Sequence, residues 1–132
     1  CRRGPRTFYA VYEKSQYIGL ILGSVVRGYS GPIEVFVGYK KNGKITNVVI
    51  QKTSSSVVAA FKSKYYRRQF TKFSLNLLVE ENLIKPPIRN VNKEIIEDSN
   101  AIARGVRLNQ LIVKYFYQNF SENRSDTNTT KH

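Results

Sequence analysis

The sequence has no methionine, no tryptophan, one cysteine, one histidine and only 9 acidic residues in 132. Each shortage closes a class of chemistry. Cys1 has no partner for an internal disulfide, and no Cys-x-x-Cys pair exists. His132 is the last residue of a polar tail, so no histidine-based triad or metal site can be assembled. No P-loop and no G-x-G-x-x-G occurs. The adjacent acids Glu80 and Glu81, and Glu97 and Asp98, read as solvated loop charges rather than as a general acid and base. No run of eighteen apolar residues is present, so no transmembrane helix is expected. Without methionine, the chain as given lacks an initiator and reads as a processed or truncated product. Signal-peptidase cleavage of a bacterial lipoprotein leaves a cysteine in first place, which would then carry the lipid. An arbitrary boundary at Cys1 is the competing reading.

What is abundant is positive charge. Lys and Arg number 22, for a formal net charge of +13. Such an excess calls for an anionic neighbour, or it is simply a solvated basic surface. The densest groups are Arg2, Arg3 and Arg6, then Lys40, Lys41 and Lys44, then Lys62, Lys64, Arg67 and Arg68. Nucleic acid is disfavoured as a partner. The 9 tyrosines and 7 phenylalanines mostly occupy positions suited to a core, and no RNP-like or helix-turn-helix pattern is present. A basic anionic-surface binder, in which the Arg2–Arg6 leader and the Lys62–Arg68 face contact membrane phospholipid or nucleic acid, stays open as a function of its own.

The pattern along the chain predicts an α+β fold. Residues 1–7 form a basic leader, 8–119 one domain and 120–132 a disordered polar tail. Two strands are expected near 8–13 and 17–26. "IEVFVGY" alternates, with Ile33, Val35, Val37 and Tyr39 on one face and Glu34 and Phe36 on the other. "KKNGK" carries Asn-Gly, a hairpin signal because both residues accept positive φ. "ITNVVIQ" returns as the partner strand. Residues 56–71 read as a helix with Val57, Phe61, Tyr65 and Phe70 or Phe73 on its inner side. "SLNLLV" reads as a short strand and "IKPPIRN" as a loop. A last helix is expected from about 100 to 119, with Asp98, Ser99 and Asn100 as its starters and an apolar stripe of Ile102, Val106, Leu108, Leu111, Ile112, Tyr115 and Phe116. Arg104 and Arg107 then fall in its first two turns, where the helix dipole disfavours cations. A bound anion would reverse that sign.

"RGYSGPIEVFVGYKKNGKITNVVIQ", residues 27–51, closely resembles the FMN-binding domain family that occurs in the Rnf electron-transport complex and in the sodium-pumping NADH:quinone reductase. That family shows G-Y-x-G-P-I, an alternating strand, a D/N-G-K-I turn and a returning strand. The matching residues are Gly28, Tyr29, Gly31, Pro32 and Ile33, then Gly38, Asn42, Gly43, Lys44 and Ile45. The resemblance runs from about residue 8 to residue 118. The family's second signature is S/T-G-A-T before an amphipathic helix, and its Thr hydroxyl carries FMN through a phosphoester. Aligning the helix stripes puts Ser99 at the S/T, Asn100 at the Gly, Ala101 at the Ala and Ile102 at the flavin-bearing Thr. Arg104 and Gly105 fall on two hydroxyl positions. Ile102 has no hydroxyl, so no phosphoester can form there. Of the family's E-T-P-G-type turn, "KTSSS" keeps only Thr53.

The resemblance implies a curved, mostly antiparallel sheet with helices packed on it. It also implies a place on the extracytoplasmic face of a bacterial cell envelope, within a membrane electron-transport complex. Two versions follow. In one, FMN or another phosphate ligand is held non-covalently by Gly28, Tyr29, Ser30 and Gly31 together with Ser99, Asn100, Ala101, Ile102, Arg104 and Arg107. In the other, the site is dead and the domain is a non-catalytic docking or assembly module.

Overall fold

A computed structural model describes residues 7–29, 31–51, 58–89 and 92–130. Cys1, the Arg2–Arg6 leader, Ser30, Thr53, Val57 and His132 lie outside the described residues.

Four strands run in sequence order as one antiparallel sheet: β1 (Thr7–Glu13), β2 (Gln16–Arg27), β3 (Pro32–Lys40) and β4 (Ile45–Gln51). The α+β expectation holds. β1 and β2 are joined by Lys14 and Ser15, both at positive φ (51° and 69°), which matches the twist of a tight hairpin. At the β3–β4 turn only Gly43 is left-handed, at φ 88°. Asn42 contributes differently from its expected positive φ: its side-chain oxygen accepts the Lys44 N–H at 3.0 Å. The period-2 pattern of β3 is realised, for Ile33, Val35, Val37 and Tyr39 are all buried. Across the sheet they share a face with Leu20, Leu22, Ile45, Val48 and Ile50.

That inner face is covered by two groups of side chains. Phe61, Tyr66 and Phe70 come from a broken helical stretch, α1 (Val58–Phe61), α2 (Lys64–Arg68) and a 3-10 turn (Gln69–Lys72), and Phe73 follows it in extended conformation. Here the continuous 56–71 helix is corrected. Ser63 interrupts it, extended at ψ 149° and capping α2 through a bond from the Tyr66 N–H. The break rotates Tyr66 inward and leaves Tyr65 exposed, the reverse of the expected side. "SLNLLV" makes one isolated bridge, Ser74 with Leu77, rather than a strand.

The second cover is α3 (Lys93–Thr130). It starts a full two turns before the expected point. Asn92 begins it, accepting the Ile95 N–H on its side chain at 2.9 Å. Asp98, Ser99 and Asn100 are therefore inside the helix. Its backbone also continues to Thr130, through the residues whose composition pointed to a disordered tail; once a stem is packed, each further residue adds one hydrogen bond. The buried stripe is Ile95, Ile102, Val106, Asn109, Gln110 and Val113, while Leu111 and Tyr115 are exposed.

Candidate functional site

The structure brings the two sequence signatures together. The β2–β3 turn closes with a Gly28 N–H to Gly31 carbonyl bond of 2.8 Å, and it abuts α3 at Asp98. The Tyr29 N–H donates to Asp98 Oδ1 at 2.7 Å. Asp98 is fully buried, so its reading as a solvated loop charge is corrected. Gly28 is needed for this approach. A Cβ there would lie 2.4 Å from Asp98 Oδ1 and 2.5 Å from the Ile33 side chain.

The remaining candidates on α3 face inward or serve neighbours. Ser99 Oγ and the Tyr66 hydroxyl are hydrogen-bonded at 3.0 Å, both buried. Burial pushes the Tyr66 hydroxyl well above the usual phenol range; its bond to Ser99 pulls the other way, and the Asp98 charge raises it further. Asn100 is half-buried, Ala101 is buried and Ile102 is wholly enclosed in the core. At Gly105 the helix comes so close to the sheet that a Cβ would lie 2.6 Å from the Val26 side chain.

Arg104 and Arg107 do not face the Gly28–Gly31 turn. With the helix starting at Lys93, Arg104 lies about three turns inside it, away from the positive end. Its guanidinium bridges to Glu81 at 3.2 Å. Arg107 donates to the Val79 carbonyl at 3.2 Å. The two line a cavity of about 200 Å³ whose wall also holds Glu80 and Glu81. Two cations facing two acids make a poor phosphate cradle. Glu97, one turn before Ala101 on the same helix, meets Lys93 at 3.8 Å.

Farther along α3 two buried amides tie the molecule together. Asn109 accepts the Tyr39 hydroxyl at 2.7 Å and donates to the Leu22 carbonyl at 3.0 Å. Gln110 accepts the Val79 N–H at 2.8 Å and donates to the Ser74 carbonyl at 2.7 Å. Neither was legible as a core residue, because sequence periodicity scores an amide as solvent-facing. Among the described residues, no group of three or more His, Cys, Asp or Glu could hold a metal ion, and no helix is long and apolar enough to cross a membrane.

A comparison of the chain with protein-family models, with curated proteins and with solved structures gives no match.

Proposed function

We propose that this domain is a non-catalytic docking or assembly module, similar in its hairpin to FMN-binding domains and working without flavin between the β2–β3 turn and α3. The observation that carries this reading is the Tyr29 N–H bond to buried Asp98 at 2.7 Å. In a phosphate site that N–H would serve an anionic ligand; here a side chain of the protein's own helix takes it. The Ser99 hydroxyl is engaged by Tyr66, and the residue aligned with the attachment threonine is an isoleucine inside the core. The segment then acts as a fastening between helix and sheet. Its setting, from the resemblance, is the bacterial cell envelope, within a membrane electron-transport complex.

Titration of the purified protein with FMN tests it. Flavin fluorescence should stay unquenched, and acid-precipitated protein should carry none. Saturable quenching that Arg104→Ala and Arg107→Ala each weaken would overturn the reading in favour of non-covalent flavin.

A further inference from the structure

The opposite face of the sheet holds a different arrangement. Ile21, Phe36 and Val49 point outward there, being out of phase with the buried Leu22, Val35 and Val48. Phe36 is folded over Gly23, where a Cβ would lie 2.4 Å from its ring. Gly19 and Gly38 leave the neighbouring positions without side chains. The result is an open apolar groove of about 420 Å³.

A second cavity lies beside the groove. Thr46 and Asn47 belong to the walls of both. They sit where β4 bulges against Gly38 and Tyr39. The second cavity, of about 470 Å³, is polar and is closed on its far side by Lys64, Arg67, Arg68 and Thr71. Arg67 is held in place. Its Nε donates to the Lys62 carbonyl and one Nη to Asn47 Oδ1, both at 2.9 Å. Two of five guanidinium donors are so committed among the described residues, and an anion in the cavity would meet the others. Lys40 stands at the groove's wall. No carboxylate lines either cavity among the described residues.

We propose that this composite site binds a single-chain amphiphile bearing a phosphate head. The apolar chain lies over Ile21, Phe36 and Val49, and the phosphate sits among Lys64, Arg67 and Arg68. Both volumes fall in the range of ordinary ligand pockets, roughly 300–1,000 Å³. The guanidinium fork matches two phosphate oxygens, and the Thr46 hydroxyl offers a further donor. This site is separate from the β2–β3 turn, so it stands or falls independently of the docking reading.

Decyl phosphate, kept below its micellar concentration, is the probe. Two-dimensional NMR of the full chain follows its binding against inorganic phosphate and uncharged decyl maltoside. Decyl phosphate should bind saturably, about tenfold or more tighter than either control, and shift the amides of Gly19, Gly38, Val49 and Arg67. The double change Lys64→Gln with Arg68→Gln should weaken it by about tenfold or more. Val49→Asn should weaken decyl phosphate several-fold and leave inorganic phosphate unaffected. Both sets of changes are at exposed positions, and an unchanged thermal midpoint verifies folding. Equal affinity for inorganic phosphate would reduce the site to an anion pocket and overturn the proposal. Equal affinity for decyl maltoside, or no saturable binding, would overturn it as well. Binding only to vesicles of anionic phospholipid, with none to decyl phosphate, would replace it with a membrane-facing surface.

Discussion

Arg104 and Arg107 on α3 and Arg67 and Arg68 on α2 carry the same charge, yet their surroundings differ in kind. The α3 pair looks onto Glu80, Glu81 and the Val79 carbonyl. The α2 pair, with Lys64, looks onto two threonines and an amide, with no acid in the wall among the described residues. One pair answers charges already present in the fold. The other leaves donors to spare. The same contrast runs through the whole sheet. On the α3 side three buried or half-buried polar pairs are matched internally, Tyr29 with Asp98, Tyr66 with Ser99 and Tyr39 with Asn109, while the buried Ser24 hydroxyl stands without a hydrogen bond among the described residues. On the outer side a groove stays open, floored by glycines and edged by cations. In a chain with a charge of +13, counting basic residues does not locate a site. What locates one is whether the cations already have partners.

The contrast between the two sides breaks most directly at Ile102. If the α3 side is a closed core, Ile102→Thr should be costly. A buried hydroxyl and a lost methyl group should together remove about 2–4 kcal/mol of stability. Urea unfolding measures this. A variant as stable as the parent would show that the α3 side has room for a ligand after all.

The β3–β4 hairpin was legible in the sequence because strand burial follows a local rule: Ile33, Val35, Val37 and Tyr39 alternate, and Gly43 supplies the left-handed turn. The start of α3 was not. Asp98 and Ser99 look like helix starters because those residue types usually cap. Here each is satisfied by a residue far away in sequence, Tyr29 or Tyr66, so nothing local betrays the burial. The same applies to Asn109 and Gln110, which displaced Leu111 from the core stripe. Tyr66 took the place expected for Tyr65 because Ser63 broke the helix one turn earlier. The candidate turn and the candidate helix segment were both found from the sequence, and the structure places them in contact. Their bond, from the Tyr29 N–H to Asp98 Oδ1, depends on tertiary geometry.

A second test exploits the tyrosines of the closed side. Burial raises both the Tyr39 and the Tyr66 hydroxyls well above the usual phenol range. Below a pH of about 10 both are neutral in folded and unfolded chains alike, and their contribution is fully present. Above that, the unfolded chain ionises first and draws the equilibrium toward itself. Stability should therefore fall with rising pH, by up to about 1.4 kcal/mol per pH unit for each buried tyrosine. Chemical unfolding at stepped alkaline pH reads the slope, and Tyr39→Phe should remove its share. A slope unaffected by that change would mean that Tyr39 is not held in the core.

The smallest effect sharpens the contrast between the two arginine pairs. Arg104→Gln removes the bridge to Glu81, in which both side chains are substantially exposed, at 56% and 42%. Exposed pairs of this kind contribute roughly 0.2–1 kcal/mol, and salt screens them. The loss should accordingly shrink at high ionic strength. Arg68→Gln breaks no ion pair, since the wall around it has no acid among the described residues. Its effect should stay within about 0.5 kcal/mol, and relief of repulsion with Lys64 and Arg67 would make it slightly favourable at low salt. Paired unfolding curves at two salt concentrations decide the matter. Opposite salt dependences would mark one arginine as a structural partner and the other as a cation held in reserve. If Arg68→Gln instead destabilises as Arg104→Gln does, and with the same salt dependence, the α2 cluster has a partner within the fold and the open side of the sheet is not vacant for a ligand.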